Sequence, residues 1–217
     1  MGDIFREIDE ELRQEKYEKI WQRYGKLFIV AAVSVLLAVA GYKGWDQYQT
    51  SQRIEDGARF STAKSLLESG KSKEARALFD AIGRDSGTSY GDLARFHSAA
   101  LRAKAGDLAG AAEDFGNIAA DSKIGKPFRD LAVVLGALNA LNNPSADLAA
   151  VSANLQPLSK AGNPWRHSAL EIMALIAQKS GDIKTARGYF KRLVDDAESA
   201  SGVRGRARQM LAIIGPE

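Results

Sequence analysis

The stretch ARFHSAALRAKAGDLAGAAEDFGNI, residues 94–118, decides the fold. Two alanine-bearing runs of helical period flank Gly106, and Asp107 follows at once. Glycine stops a helix because it accepts the left-handed conformation that a C-terminal cap needs. An aspartate in the next position accepts a backbone N–H and opens a second helix. The stretch therefore reads as helix, tight turn, helix. The same unit recurs around Gly70 and Gly181. Five residues after each glycine stand Ala75, Ala111 and Ala186; nine after stand Phe79, Phe115 and Phe190; twelve after stand Ile82, Ile118 and Leu193. Seven before stand Ala63, Ala99 and Ala174, and twelve before stand Ala58, Ala94 and Ala169. The alanines let paired helices cross closely, and the phenylalanine fills the space toward the next hairpin. One such hairpin cannot bury both of its apolar faces, so copies must stack.

The glycines lie 36 (106 − 70) and 75 (181 − 106) residues apart, so the longer gap holds one further unit. That unit, Pro127 to Pro157, is degenerate. Ala132, Ala137 and Ala149 fit the pattern, but Asn142-Asn143-Pro144 replaces the glycine and no phenylalanine follows. The expected helices are 46–69 (continuous with the segment before it or bent at Gly57), 72–83, 90–105, 108–120, 127–142, 145–158, 164–180 and 183–198. A last helix, 203–214, should close the stack with Val203, Ala207, Met210, Leu211 and Ile214.

Outward from the repeats, the N-terminal part is different. Residues 1–26 read as an amphipathic helix with Ile4, Phe5, Ile8 and Leu12 on one face, then Tyr17, Ile20, Trp21 and Tyr24. Acids lead and bases follow. LFIVAAVSVLLAVAGY, Leu27 to Tyr42, then runs 16 positions without a charge. Extended to Trp45, with Lys43 snorkelling, it approaches the ~20 residues that cross a bilayer core. Trp21 and Tyr24 before it, and Tyr42, Trp45 and Tyr48 after it, suit the two interfaces. Residues 27–45 are therefore expected to be a transmembrane helix; the alternative is a buried helix of a soluble domain. Lys16, Lys19, Arg23 and Lys26 precede the span, against Lys43 and Arg53 after it, which puts the N-terminus in the cytoplasm. Residues 46–217 would then lie across the membrane, in the periplasm of a Gram-negative cell. Ala38-Val39-Ala40 has the small-x-small form of a signal-peptidase site, and cleavage there would free a chain starting at Gly41. The long leading segment with seven acidic groups argues for an uncleaved anchor instead.

Composition removes most chemistry. The 217 residues contain no cysteine and two histidines, which excludes disulfides, thiolate sites and a His-rich metal centre. Thirty Lys plus Arg against 27 Asp plus Glu give a net charge of +3, too even for a dedicated nucleic-acid binder. No phosphate loop or paired catalytic carboxylates are visible, and His97 and His167 read as packed or surface residues. Asp195, Asp196 and Glu198 read as a solvated helix end, and Arg204, Arg206 and Arg208 as dipole-compensating charge on the cap. Neither an enzyme nor a cofactor is expected.

The pattern G-x4-A-x3-F, with a small residue seven positions before the glycine, resembles tetratricopeptide repeats over roughly residues 54–198. It departs from them in lacking the closing proline and in a spacing of 36 rather than ~34. The resemblance implies an all-α fold: a right-handed superhelix of about four hairpins plus a C-terminal capping helix. It also implies that the first helix of each hairpin lines a groove for a partner, at positions ten, six, three and two before each glycine. The groove candidates are Phe60, Lys64, Leu67 and Glu68, then Phe96, Ala100, Ala103 and Lys104, then Glu171, Leu175, Gln178 and Lys179. Phe60 and Phe96 are either binding anchors or core; Lys64 and Lys104 suit an acidic partner.

The whole layout resembles a narrower family, the bacterial ancillary subunits of the SecYEG translocon (YfgM-like). The residues that carry this likeness are Glu10-Glu11, Glu15-Lys16, Trp21, Gly41-Tyr42, Gly44-Trp45 and Tyr48-Gln49. It implies a scaffold in the inner membrane that meets Sec translocon subunits, a periplasmic chaperone and translocating clients. The other reading is a periplasmic adaptor for envelope assembly or cell division. Ser34-x3-Ala38 and Ala40-x3-Gly44 offer small faces within the span, and homo-oligomers remain open.

Overall fold

The computed structural model describes the backbone of residues 2–215 and the side chains of residues 21–215. The expected apolar face of the first helix therefore lies, up to Ile20, outside the described side chains. Among the described residues every regular element is helical: α1 (Gly2–Glu68), α2 (Ser72–Asp85), α3 (Ser89–Lys104), α4 (Leu108–Ala120), α5 (Lys126–Ala140), α6 (Leu148–Leu155), α7 (Arg166–Lys179), α8 (Ile183–Asp195) and α9 (Ser201–Ile214). A 3-10 turn, Gln156–Ser159, extends α6. Two compact units divide the chain, Met1–Ile54 and Glu55–Glu217, and α1 contributes residues to both.

In the first unit α1 is unbroken, and every residue from Leu27 to Tyr42 is exposed. Trp21–Glu68 is long and apolar enough by composition to cross a membrane. Ser34 spends its hydroxyl on its own helix, donating to the Val30 carbonyl at 2.8 Å.

In the second unit the aligned glycines do the work their spacing demands. Gly70, Gly106 and Gly181 have φ of 77°, 94° and 82°. After each, the next residue's N–H reaches back to a carbonyl five residues earlier: Lys71 to Leu66, Asp107 to Arg102, Asp182 to Ala177. This is the six-to-one bond that satisfies the orphan carbonyls of a helix end. Asp107 and Asp182 then turn their carboxylates onto the N–H groups of Gly110 and Thr185. Lys71 holds the same backbone (φ −83°, ψ 55°) with no side-chain cap.

Five repeated positions flank each glycine, and 14 of those 15 residues are at most 2% exposed. Ala58, in the first copy, is the exposed exception. Each core cluster joins three consecutive helices. Ala63, Phe79 and Ala94 link α1, α2 and α3. Ala99, Phe115 and Ala132 link α3, α4 and α5. Val134, Leu155 and Met173 link α5, α6 and α7, and Ala174, Phe190 and Ala207 link α7, α8 and α9. Burying a side chain of this size contributes ~1.5–3 kcal/mol, which a single hairpin could not collect on both faces. Val203, Met210, Leu211 and Ile214 of α9 pack on the last cluster, as expected of a closing helix.

The third hairpin is present but in a shifted frame. Ala132 and Ala137 are buried as aligned, yet Ala149 is exposed. The turn at 141–147 has seven residues where a glycine turn has three, because no left-handed residue occupies it, and the positions after it shift by two. Asp147 caps α6 through Ala150. Counted from that cap, Val151 takes the alanine position, Leu155 the phenylalanine position and Leu158 the isoleucine position; Leu155 is fully buried and Leu158 5% exposed. α6 also ends earlier than expected, at Leu155, since Pro157 forbids a regular continuation.

Lys71→Asp should restore the missing cap and raise stability by about 1 kcal/mol, ~2–4 °C in Tm for a chain of this size. Leu155→Ala should cost ~2–5 kcal/mol. Thermal unfolding followed by circular dichroism reads both.

Candidate functional site

The first helices of the hairpins are the end of α1 from Glu55, then α3, α5 and α7. They carry the candidate groove, and their two ends behave differently. At the N-terminal ends, acids and bases close the hairpins. Fifteen residues after each glycine stands an aspartate: Asp85, Asp121 and Asp196. Each sits where a second helix ends and meets an arginine on the first helix of its own hairpin. Arg59 reaches Asp85 at 3.5 Å and Arg95 reaches Asp121 at 2.7 Å. Arg166 contacts Asp196, and His167 stands 3.1 Å from the same carboxylate. The Arg95 guanidinium and the Lys123 N–H hold the Asp121 carboxyl below the usual range. The Glu198 N–H and then His167 do the same for Asp196.

Fourteen residues before the glycines stand Asp56 and Asp92, with Asp130 at the matching place on α5. Asp56, 4% exposed, accepts hydrogen bonds from Ser86 and Thr88. Asp130, 9% exposed, accepts from Lys126 at 2.6 Å and Asn163 at 2.9 Å. Burial raises the Asp92 carboxyl, against the pull of Arg95. The N-terminus of each first helix is thus tied to the loop that follows its own second helix. These residues were not among the expected site residues, although their constant offset from the glycines was readable.

Toward the C-terminal ends the expected groove residues divide. Lys64 and Lys104 are exposed, and so is Leu138 on α5, at 47%. Phe60 is 9% exposed and belongs to the core: its ring lies 5.3 Å from Phe79, 5.6 Å from Tyr90 and 5.3 Å from His97. Phe96 is half-buried against Phe115, 6.2 Å away. Glu171 accepts two bonds from Arg206 of α9, at 2.6 and 2.8 Å. Gln178 is half-buried. Lys179 is exposed, and its ammonium donates to the Leu141 carbonyl beyond α5. The arrangement brings Lys64 near the ring cluster under α3, while Glu171 and Lys179 bind their neighbouring helices. Arg206 is likewise committed to Glu171, and Arg204 donates to the Ala197 carbonyl.

Of the two readings, packed or surface, His97 takes the packed one. It stacks on Phe79 with centroids 4.8 Å apart and planes 13° apart. Burial first, and the Lys64 charge second, lower its pKa from the ordinary value. The folded state therefore resists a proton that the unfolded chain accepts. Stability held above the ordinary imidazole value (~6.5) should fall as pH drops through and below it. His97→Phe should flatten that limb between about pH 7 and 5, read by urea unfolding at each pH.

A family model described as a tetratricopeptide repeat-like domain matches residues 18–210. No curated protein and no solved structure matches the chain.

Proposed function

Because the chain belongs to the tetratricopeptide repeat-like domain family, we propose that it is a membrane-anchored scaffold that binds proteins along its first helices. The observation that carries this reading is the division of those helices. Their N-terminal ends are tied into the hairpins, whereas Lys64, Lys104 and Leu138 near the C-terminal ends stand in solvent. Mixed apolar and cationic side chains suit a partner segment with apolar and acidic residues.

The anchor in this proposal is residues 27–45, with the N-terminus cytoplasmic and residues 46–217 periplasmic. Support comes from the exposed, charge-free run Leu27–Tyr42 and from the basic residues before it. Such a protein works beside the Sec translocon with a periplasmic chaperone, assisting secreted or membrane clients. The work is binding, not catalysis.

In-cell crosslinking of the tagged full chain, followed by purification in mild detergent and mass spectrometry, tests the reading. Translocon subunits with a chaperone are the expected yield. Division or outer-membrane assembly factors without the translocon would replace the secretion role by an envelope adaptor. Lys64→Glu with Lys104→Glu should weaken capture of the partner about tenfold, ~1.4 kcal/mol. Unchanged capture would remove the two lysines from the binding face.

A further inference from the structure

A second surface lies away from the groove discussed above, between successive second helices. There a cleft opens over the first helix that separates them. One, four and eight residues after the aligned alanine stand Arg95, Ser98 and Arg102 on α3, the first two of them lining the cleft there. On α7 the same places hold Leu170, Met173 and Ala177. On α5 they hold Val133, Gly136 and Ala140. The outcome follows from size. Over α3, between α2 and α4, a polar cleft of about 210 Å³ remains. Over α7, Leu170 and Met173 are buried to 2% and 1%. Over α5, between α4 and α6, the cleft is about 730 Å³ and mainly apolar, walled by residues such as Ala112, Gly116 and Ala150.

Charge says what fits there. Between Asp130 and Lys160 lie 29 residues (160 − 130 − 1), and Asp147 is the only charged one, in a chain that is 26% charged. Asp147 lines the cleft, but its carboxylate is occupied by the Ala150 N–H at 3.0 Å. An anion carried into the cleft would lose water and meet no positive charge, and a cation would meet only the solvent-exposed Asp147 at the turn before α6. The occupant is therefore uncharged where it touches α4, α5 and α6. Asn143 and Asn154 add amide groups to the lining, which uncharged polar side chains of a protein can bond and a hydrocarbon chain cannot. We infer that the α4–α5–α6 cleft is a docking groove for one amphipathic helix of a protein partner. That helix inserts large uncharged side chains at helical spacing, as Leu170 and Met173 fill the matching place over α7.

The test uses the full chain in lipid nanodiscs and a fluorescent synthetic helix with leucines on one face. A scrambled peptide of the same composition serves as control. Anisotropy titrations should show the faced peptide binding at least tenfold tighter than the scrambled one. A side chain at 116 would meet nothing within 4 Å at its Cβ, so Gly116→Met fills the cleft without disturbing the fold. Gly116→Met and Ala150→Glu should each weaken binding at least tenfold with no fall in Tm, while Lys64→Glu with Lys104→Glu leaves it unaltered. Equal binding by the filled variants would overturn the inference. Loss in the lysine variant alone would overturn it too, placing the probe on the first-helix face and leaving the proposed function standing. Two other results would also overturn it: a dimer that dissociates on Gly116→Met, which makes a second copy the occupant, or uptake of a fluorescent fatty acid with no peptide binding, which makes it a lipid.

Discussion

The stack depends on two helices lying close enough for alanine to meet alanine. Ala63, Ala75, Ala99, Ala111, Ala174 and Ala186 are all fully buried, seven residues before and five after a left-handed glycine. A larger side chain at any of them would push the helices apart and take the phenylalanine out of reach of the next hairpin. The glycine sets the angle, the aspartate starts the return helix, and the alanines hold the pair at the separation where one ring closes the gap. Every later feature, from the ion pairs at the hairpin ends to the cleft over α5, is a variation on that spacing.

How far the residues could be read in advance depended on whether a position had a fixed distance from its glycine. Hairpins built on Gly70, Gly106 and Gly181 were legible because φ, cap and core all sit at constant offsets. The third hairpin was misread at Ala149 because its turn has no glycine, so nothing marked the two-residue shift that places Leu155 in the core and Val151 against it. The groove was legible only as a set of places. Spacing puts Phe60 and Lys64 on one helix, but it cannot say that Phe60 is covered by Phe79, Tyr90 and His97. Nor can it say that Glu171 is held by a helix 35 residues away.

The ties at the hairpin ends bear on function through rigidity. Asp56, Asp121 and Asp196 each fasten a loop to a helix start, so the first helices are fixed at one end in a set register. A partner that meets their other ends encounters a preordered surface, and less of its binding energy is lost in ordering loops. The charges that provide the ties are neutralised within the chain. Lys64 and Lys104, which take no part in these ties, remain exposed on the same helices.

The third hairpin keeps a tie from Asp130 to Asn163 but lacks the arginine–aspartate pair of the others, and that has a consequence for motion. Val133 replaces the arginine of the tie, and no aspartate follows α6 at the matching offset. Asp130 is instead held by Lys126 and Asn163. In a stack where each unit touches only its neighbours, the least reinforced joint is where the array parts first. The chain should then behave as two cooperative blocks, one before α5 and one from α7 onward, with a yielding segment between them. Subglobal opening at that segment should expose amides of α5 and α6 to exchange while the flanking blocks stay protected.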